Sequence, residues 1–235
     1  MRLNRAIAAT GICSRRDADE LIKAGRVKVN RKVCYDLALR VDPEVDRIAV
    51  DNNVFERREF EYVVLHKPRG IVTTCEDERG RRTVIDLMPP ELQHLKPVGR
   101  LDRDSEGMII LTNDGDFAQI LAHPSNHVEK TYRVTLEGHI GDKELDAMRD
   151  GIRLSEGKTQ PCQIHSLHRA GNLSTFTIVI KEGRNRQIRR MCAKVGYNVL
   201  RLVREGIGAL QLNLKEPGEW RHLKASEVSR LSERK

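Results

Sequence analysis

Aromatic residues, long apolar runs and paired cysteines are all scarce in this chain of 235 residues. Aromatic residues make up only 4% of it, so a surface of stacked rings that reads single-stranded nucleic acid is improbable. The sequence contains no run of about 18 apolar residues, so no membrane span is predicted. The first residues lack the apolar core of a signal peptide. The five cysteines are scattered, which is typical of reduced thiols in a cytoplasmic protein.

Several common catalytic signatures are also missing. No Gly-Lys-Ser or Gly-Lys-Thr follows the polar loop of residues 99–107, so that loop is not predicted to bind phosphate. The Gly-x-Ser-x-Gly turn of many hydrolases is absent. The cysteines and histidines do not have the spacing of a zinc site, and we therefore expect no metal.

Positive charge is present in excess and is concentrated. The formal net charge is +8 and the sequence pI is about 9.4, which favours polyanionic partners. Residues 1–35 hold nine Lys and Arg against three acids, a net of +6. Residues 181–204 hold eight against one, a net of +7. A solvated basic face is one interpretation of the second segment, but so many like charges favour an external anion.

The pattern of apolar residues divides the chain into two domains. In residues 1–60, Ser14 is a good N-cap for a helix that Gly25 would end, and Val27 and Val29 alternate as in a strand. Residues 52–61 are polar and resemble a linker. The second domain is then residues 61–235.

Strands and helices in the second domain follow no regular βαβ rhythm. Strands are predicted at 62–65, 71–73, 108–111 and 131–137, and a helix at about 185–195. The fold class that fits is α+β: a small α/β domain, then a domain built on a mixed, largely antiparallel sheet flanked by helices. Nothing in the pattern requires an oligomer, so a monomer is the default expectation.

Three segments could carry chemistry. The first is the polar loop Gly99-Arg100-Leu101-Asp102-Arg103-Asp104-Ser105-Glu106-Gly107, which lies between two apolar segments and is otherwise explained as a surface loop. The second is the basic stretch from Gly183 to Arg190, in which an Arg could keep a buried carboxylate ionised. The third contains Tyr132, either a core tyrosine or a ring that stacks on a base.

In this order the three segments resemble the RsuA/RluB family of rRNA pseudouridine synthases. Gly99-Arg100-Leu101-Asp102 resembles the catalytic motif of the family, and the stretches 129–132 and 183–191 resemble two further family motifs. Residues 1–60 resemble the S-four-type RNA-binding domain, named after a ribosomal protein, through the stretches 11–16 and 25–27. The resemblance covers essentially the whole chain.

The resemblance implies a role for each site residue. Asp102 would be the catalytic carboxylate, Arg189 would pair with it, and Tyr132 would stack on the target uracil. The substrate would be ribosomal RNA, and no cofactor would be needed because the bond that breaks is remade within the site. Residues expected to bind RNA are Arg5, Arg15, Arg16, Arg26 and Lys28 in the first domain, and Arg100, Arg184, Arg186 and Arg190 in the second.

Several alternatives stay open. Asp102 could attack the anomeric carbon of the ribose or remove the neighbouring ring proton. The target could lie in large-subunit rRNA, as in the RluB branch, or in small-subunit rRNA, as in the RsuA branch. A non-catalytic rRNA-binding assembly factor is the chief rival. A glycosidase that uses Asp102 with Asp104 is another, although nothing positions a second acid for two-carboxylate work.

Overall fold

The computed structural model describes residues 1–43, 45–54 and 59–233. Contacts between Cα atoms divide the chain into two compact units. Unit 1 comprises Met1–Glu61 with Asn113–Gly115, and unit 2 comprises Tyr62–Thr112 with Asp116–Lys235. In the described part of the chain, no helix has the length and apolar character needed to cross a membrane.

Unit 1 is a small α/β domain, and its elements are α1 (Leu3–Ala9), α2 (Arg15–Lys23), β1 (Val27–Val29), β2 (Lys32–Val33), β3 (Ile48–Val50) and β4 (Asn53–Val54). The predicted cap of α2 is present: the Ser14 hydroxyl accepts a hydrogen bond from the Asp17 N–H, and the Asp17 carboxylate accepts one from the Ser14 N–H. Such a cap satisfies N–H groups that the first turn of a helix leaves without partners.

The four strands of unit 1 form a sheet in the order β2-β1-β3-β4. Its core face packs on both helices through buried side chains that include Leu3, Ile22 and Val27. The linker expected at 52–61 is partly wrong, because Asn53–Val54 pairs with β3 as an edge strand. Residues 55–58 of that stretch lie outside the described residues.

Unit 2 contains the remaining elements. Its strands are β5 (Tyr62–Lys67), β6 (Lys96–Pro97), β7 (Glu106–Thr112), β8 (Lys130–Glu137), β9 (Arg153–Leu154), β10 (Gly157–Lys158), β11 (Gln163–Ala170), β12 (Leu173–Ile180), β13 (Val199–Ile207), β14 (Leu210–Gln211) and β15 (Trp220–His222). Its helices are α3 (Gly115–Ala122), α4 (Asp142–Asp150), α5 (Gln187–Lys194) and α6 (Ala225–Ser232).

The large sheet of unit 2 has the order β11-β12-β8-β13-β7-β5-β15, with β14 beside β13 and β6 beside β7. Within the described residues only the β13–β7 pair is parallel. The sheet is therefore mixed and largely antiparallel, and the predicted α+β class is confirmed. One core lies between helices α4 and α5 and strands β8, β11, β12 and β13.

The parallel pair brings two distant segments of the chain together at Gly107. This glycine has a φ of +105°, and a Cβ built on it would lie 2.3 Å from the carbonyl oxygen of Arg204 on β13. Only glycine allows this approach without strain. The strand that begins just after the Asp102 loop is thereby joined to β13.

The strand expected at 71–73 is not formed. Val72 makes only an isolated bridge with Thr83, and the segment continues as a loop. The Val72 N–H donates to the Arg82 carbonyl and the Val72 carbonyl accepts from the Val84 N–H, so pairing ends at this one bridge, and the buried Thr73 side chain holds a neighbouring loop. This departure positions the candidate site.

Candidate active site

The loop that carries Asp102 is held on both sides of that residue. The Thr73 hydroxyl donates to the carbonyl of Leu101 at 2.9 Å and accepts from the Leu101 N–H at 3.3 Å. The Gly70 N–H donates to the carbonyl of Arg103 at 2.7 Å. Leu101 itself is buried in the core. Asp102 therefore stands on a backbone whose conformation is determined by its neighbours, as a catalytic group requires.

A change at Thr73 should disturb the position of Asp102. We expect Thr73→Val to lower kcat about 10- to 100-fold with little change in KM, since misplacement by about 1 Å can cost about 100-fold. Thr73→Ser keeps the hydroxyl and should restore most of the rate. Steady-state kinetics on an RNA substrate measures both constants.

The control is Thr74→Val, because the Thr74 hydroxyl donates to the carbonyl of Glu76, away from Leu101. If Thr73→Val and Thr74→Val have equal kcat, Thr73 has no positioning role.

A cavity of about 280 Å³ opens beside the loop. Its size is at the small end of ligand sites, which range from about 300 to 1,000 Å³, and suits a single nucleotide more than a helix. Asp102 is 28% exposed on one side of it, and Tyr132 of β8, a member of the core, contributes to its lining. The structure thus brings the carboxylate and the phenol ring expected at the site to one cavity. Its other lining residues include Gly99, Arg100, Arg184, Asn185, Arg186 and Leu202.

The prediction that Arg189 pairs with Asp102 is wrong, because Arg189 pairs with Asp104. Its Nε lies 3.3 Å from a carboxylate oxygen of Asp104, and its Nη2 donates to the Asp104 carbonyl at 2.9 Å. Its Nη1 donates to the carbonyl of Val199 at 2.9 Å. Because Arg189 lies on α5 and is almost buried, these contacts link the catalytic loop to the start of β13.

Arg186 is the ion-pair partner of Asp102 in the part of the chain that the structure describes. Its Nη1 lies 3.8 Å from Asp102 Oδ2 and only 2.8 Å from Asp104 Oδ1. The hydrogen bond from Arg186 holds the pKa of Asp104 below its ordinary value. The carboxylate of Asp104 is thus neutralised by two guanidinium groups, whereas Asp102 keeps its oxygens available to a ligand in the cavity.

The basic segment 181–204 finds most of its counter-charges inside the protein. The acids beside these cations, apart from Glu182, come from outside the segment and reduce its self-repulsion, while the external anion stays a prediction. The pairs are Lys181 with Glu129, Arg184 with Glu182, Arg186 and Arg189 with Asp104, Arg190 with Glu156, and Arg201 with Glu106.

Two arginines expected to bind RNA also hold the β9–β10 hairpin. Arg184 donates to the carbonyls of Gly157 and Lys158, at 2.8 and 2.7 Å. Arg190 donates to the Glu156 carboxylate at 2.7 Å. The structure gives these two guanidinium groups a bracing role, and their contact with RNA stays a prediction.

Lys67 lies directly beneath the site and was not singled out by the sequence. Its side chain is 0% exposed, and its Nζ donates to the carbonyl of Pro68 at 3.0 Å. Burial lowers the pKa of Lys67 from 10.5 to about 8, although the charges of Glu106, Asp104 and Asp102 oppose that shift. Its position at the end of an apolar strand was visible in the sequence. That position does not distinguish a buried lysine from an ordinary surface lysine.

The pKa of Lys67 makes stability depend on pH. The folded protein loses this proton near pH 8, whereas the unfolded chain keeps it up to about 10.5, so the unfolded state binds more protons between these values. The free energy of unfolding should therefore rise through this window, by up to about 3 kcal/mol relative to Lys67→Met. Urea denaturation of both proteins at several pH values measures the difference.

Lys130, whose pKa burial also lowers to about 8, is present in both proteins and cancels in that comparison. Parallel stability curves for wild type and Lys67→Met would show that Lys67 does not titrate in this range.

The residues expected to bind RNA in unit 1 lie on its helices and sheet. Arg15 and Arg16 are exposed in the first turn of α2. Arg26 pairs with Asp51, and the Lys28 Nζ donates to the Asn52 side chain at 2.8 Å. Arg5 lies in α1 and is half-buried.

Among the described residues, no cluster of three or more His, Cys, Asp or Glu side chains could hold a metal ion. The chemistry that this cavity can offer from its own residues is that of a carboxylate at Asp102, a phenol at Tyr132 and a guanidinium at Arg186.

Comparison with known proteins identifies the family and the first domain. Residues 61–194 match the RNA pseudouridylate synthase family, and residues 1–46 match the S4 domain, which is the S-four type named above. Ribosomal large subunit pseudouridine synthase B of Bacillus subtilis (strain 168) is 42% identical over 232 residues, covering 98% of this chain and 95% of that protein. An uncharacterized RNA pseudouridine synthase of Aquifex aeolicus (strain VF5) is 36% identical, with 98% and 93% covered.

A solved structure agrees as well. The crystal structure of a pseudouridylate synthase superposes with a TM-score of 0.70 at 31% identity, covering 98% of this chain and 99% of the other. The resemblance inferred from the sequence motifs is confirmed. The chain belongs to the RNA pseudouridylate synthase family and is an isomerase that acts on uridine in RNA.

Proposed function

We propose that this protein isomerises one uridine of large-subunit ribosomal RNA, with Asp102 as the catalytic carboxylate. The observation that carries the proposal is the position of Asp102, anchored through Thr73 and open to a cavity of nucleotide size. The similarity to a large-subunit enzyme supports the choice of rRNA. We further propose that it acts as a monomer in the cytoplasm.

The two domains divide the work. Residues 1–60 bind the RNA through exposed cations such as Arg15 and Arg16, which contact phosphates without reading the sequence. Residues 61–235 carry out the chemistry. Folded rRNA hairpins suit this division, because they are recognised by shape and phosphate while an unpaired base enters the pocket.

The target nucleotide leaves its stack and enters the cavity, since Asp102 cannot reach a ribose inside a helix. Asp102 acts on the sugar, the bond from the anomeric carbon to the ring nitrogen breaks, and the uracil rotates in place. The ring carbon then bonds to the sugar. Its proton leaves to a base, for which the Tyr132 hydroxyl and water are the candidates. Substrate and product are isomers, so no other reactant is consumed.

The other site residues position these groups. Tyr132 presents an aromatic ring on which the uracil stacks. Arg186 lies between the two carboxylates and stabilises the charge of Asp102 at a distance. Arg189, bound to Asp104, fixes the loop to α5 and supports the site without meeting the substrate.

The glycosidase alternative is disfavoured by the state of Asp104. A general acid must hold a proton near neutral pH, which requires a raised pKa. The Arg186 hydrogen bond moves the pKa of Asp104 in the opposite direction. Asp104 therefore serves as an anchor for two arginines.

The function is tested by incubating the purified protein with unmodified large-subunit and small-subunit rRNA. Carbodiimide treatment followed by primer extension then maps pseudouridine in each. A new stop at one uridine of large-subunit rRNA is the expected result. A stop only in small-subunit rRNA would reassign the substrate, and no stop in either, with binding intact, would favour an assembly factor.

A further inference from the structure

Unit 1 presents an exposed aromatic ring in a chain that has few of them. Tyr35 is 66% exposed, although it lies next to a well-packed sheet. In the described residues its hydroxyl makes no hydrogen bond that would explain the position of the ring. An exposed aromatic ring on an RNA-binding domain offers a flat apolar face on which a ligand can stack.

The ring is seated on Gly25. A Cβ built on Gly25 would lie 2.7 Å from the Tyr35 hydroxyl oxygen and 2.8 Å from its Cε1, and the φ of Gly25 is +70°. The absence of a side chain at residue 25 therefore lets the ring lie against the backbone. One side of the ring is supported in this way, and much of its remaining surface faces solvent.

Cations share the face of the sheet on which Tyr35 stands. Lys28 lies opposite Val33 in the β1–β2 ladder, and the Cys34 N–H continues that ladder by donating to the Val27 carbonyl. By alternation, Arg26, Lys28, Val33 and Tyr35 point to one face, while Val27 and Cys34 pack toward the core.

The charge on this ribbon is positive throughout. Residues 25–35 contain four cations and no acid. Arg26 is paired with Asp51, but both side chains are about half exposed, so this pair is weak and can open toward a phosphate. Arg31 and Lys32, at the turn of the ribbon, are exposed and have no ion-pair partner among the described residues.

We propose that this face is a single-nucleotide site, in which Tyr35 stacks on an unpaired base of the RNA substrate and Arg26 and Lys28 take the adjoining phosphate. The proposal rests on the proposed function, since it assumes an RNA substrate. It adds a base contact to a domain otherwise expected to bind phosphates only. A low aromatic content excludes an extended stacking surface, but one ring suffices for one base.

The test uses the full-length protein carrying Asp102→Asn, so that binding is measured without turnover. Two fluorescein-labelled RNA hairpins with the same stem and tetraloop serve as probes, one blunt and one with four unpaired nucleotides at its 3′ end. Fluorescence anisotropy gives the Kd. Loss of stacking on one base corresponds to about 5- to 150-fold weaker binding.

We expect Tyr35→Ala to weaken binding of the tailed hairpin about tenfold and that of the blunt hairpin less than twofold. Tyr35→Phe keeps the ring and should bind both as the parent does. The control is Val45→Ala, which removes another exposed apolar side chain of unit 1. Circular dichroism melting verifies that each variant is folded.

The proposal is overturned if Tyr35→Ala binds the tailed hairpin as the parent does, or if it weakens both hairpins equally. Sedimentation velocity of Tyr35→Ala covers one other outcome. If the sedimentation coefficient changes while the Kd for RNA does not, the face contacts another protein molecule instead of RNA. Pseudouridine mapping with the wild-type protein is a separate measurement. If that reaction fails, the proposed function is rejected. The binding measurements can still be interpreted, because they do not depend on turnover.

Discussion

Asp102→Asn is expected to reduce pseudouridine formation by at least about 1,000-fold while rRNA binding changes less than twofold. The amide has the shape of the carboxylate but can neither attack the sugar nor accept its proton, and one such group contributes about 100- to 10,000-fold. Folding should be unaffected, because Asp102 is partly exposed and its ion-pair partner Arg186 lies 3.8 Å away. Carbodiimide mapping and filter binding on the same preparation measure the two quantities.

Asp146→Asn is the matched control for that experiment. Asp146 pairs with Arg149 on the surface of α4 and lies outside the cavity lining. It should retain full activity. Residual activity of Asp102→Asn above about a tenth of wild type would remove Asp102 from the chemistry and assign the reaction to another residue.

Among these substitutions, Gly107→Ala should lower the free energy of unfolding the most. The new methyl group would lie 2.3 Å from the Arg204 carbonyl oxygen, and the φ of +105° is unfavourable for alanine. Backbone strain of about 1–3 kcal/mol and overpacking of about 1–3 kcal/mol together predict a loss of roughly 2–6 kcal/mol in the free energy of unfolding. Urea denaturation followed by circular dichroism measures it.

Gly157→Ala separates the two causes. Gly157 has a φ of +113°, but a Cβ there would meet no atom within 4 Å. It should therefore show the strain alone, about 1–3 kcal/mol. Equal losses for both variants would mean that β7 and β13 can separate at Gly107 without cost.

The sequence predicted the loop around Asp102 and the helix that carries Arg189 because each has a local pattern. The loop around Asp102 is polar between apolar strands, and the helix that carries Arg189 shows a periodic apolar face. It could not predict which carboxylate Arg189 would meet. Asp102 and Asp104 are two residues apart, and the choice depends on where α5 places a side chain more than 80 residues later in the chain.

Other features depended on contacts that no local pattern reveals. Thr73 is of a residue type that is common in strands. Its hydroxyl is nevertheless hydrogen-bonded to the backbone of Leu101, and the segment lies outside the sheet. The β9–β10 hairpin is only six residues long and is held by arginines from a distant segment. Counted alone, the segment 181–204 has an excess of positive charge, and that excess suggested an external anion. Most of the acids that pair with its cations come from elsewhere in the sequence, so a local count does not include them.

The order of strands in the large sheet has a consequence for biosynthesis. Strand β13, which lies between β7 and β8, is made of residues 199–207 and leaves the ribosome after both of them. Until it arrives, the edges of β7 and β8 that face it remain unpaired and exposed to association with other chains. The large sheet therefore cannot be completed before residue 207 is made, and a nascent chain stalled before residue 199 depends on protection of those two edges.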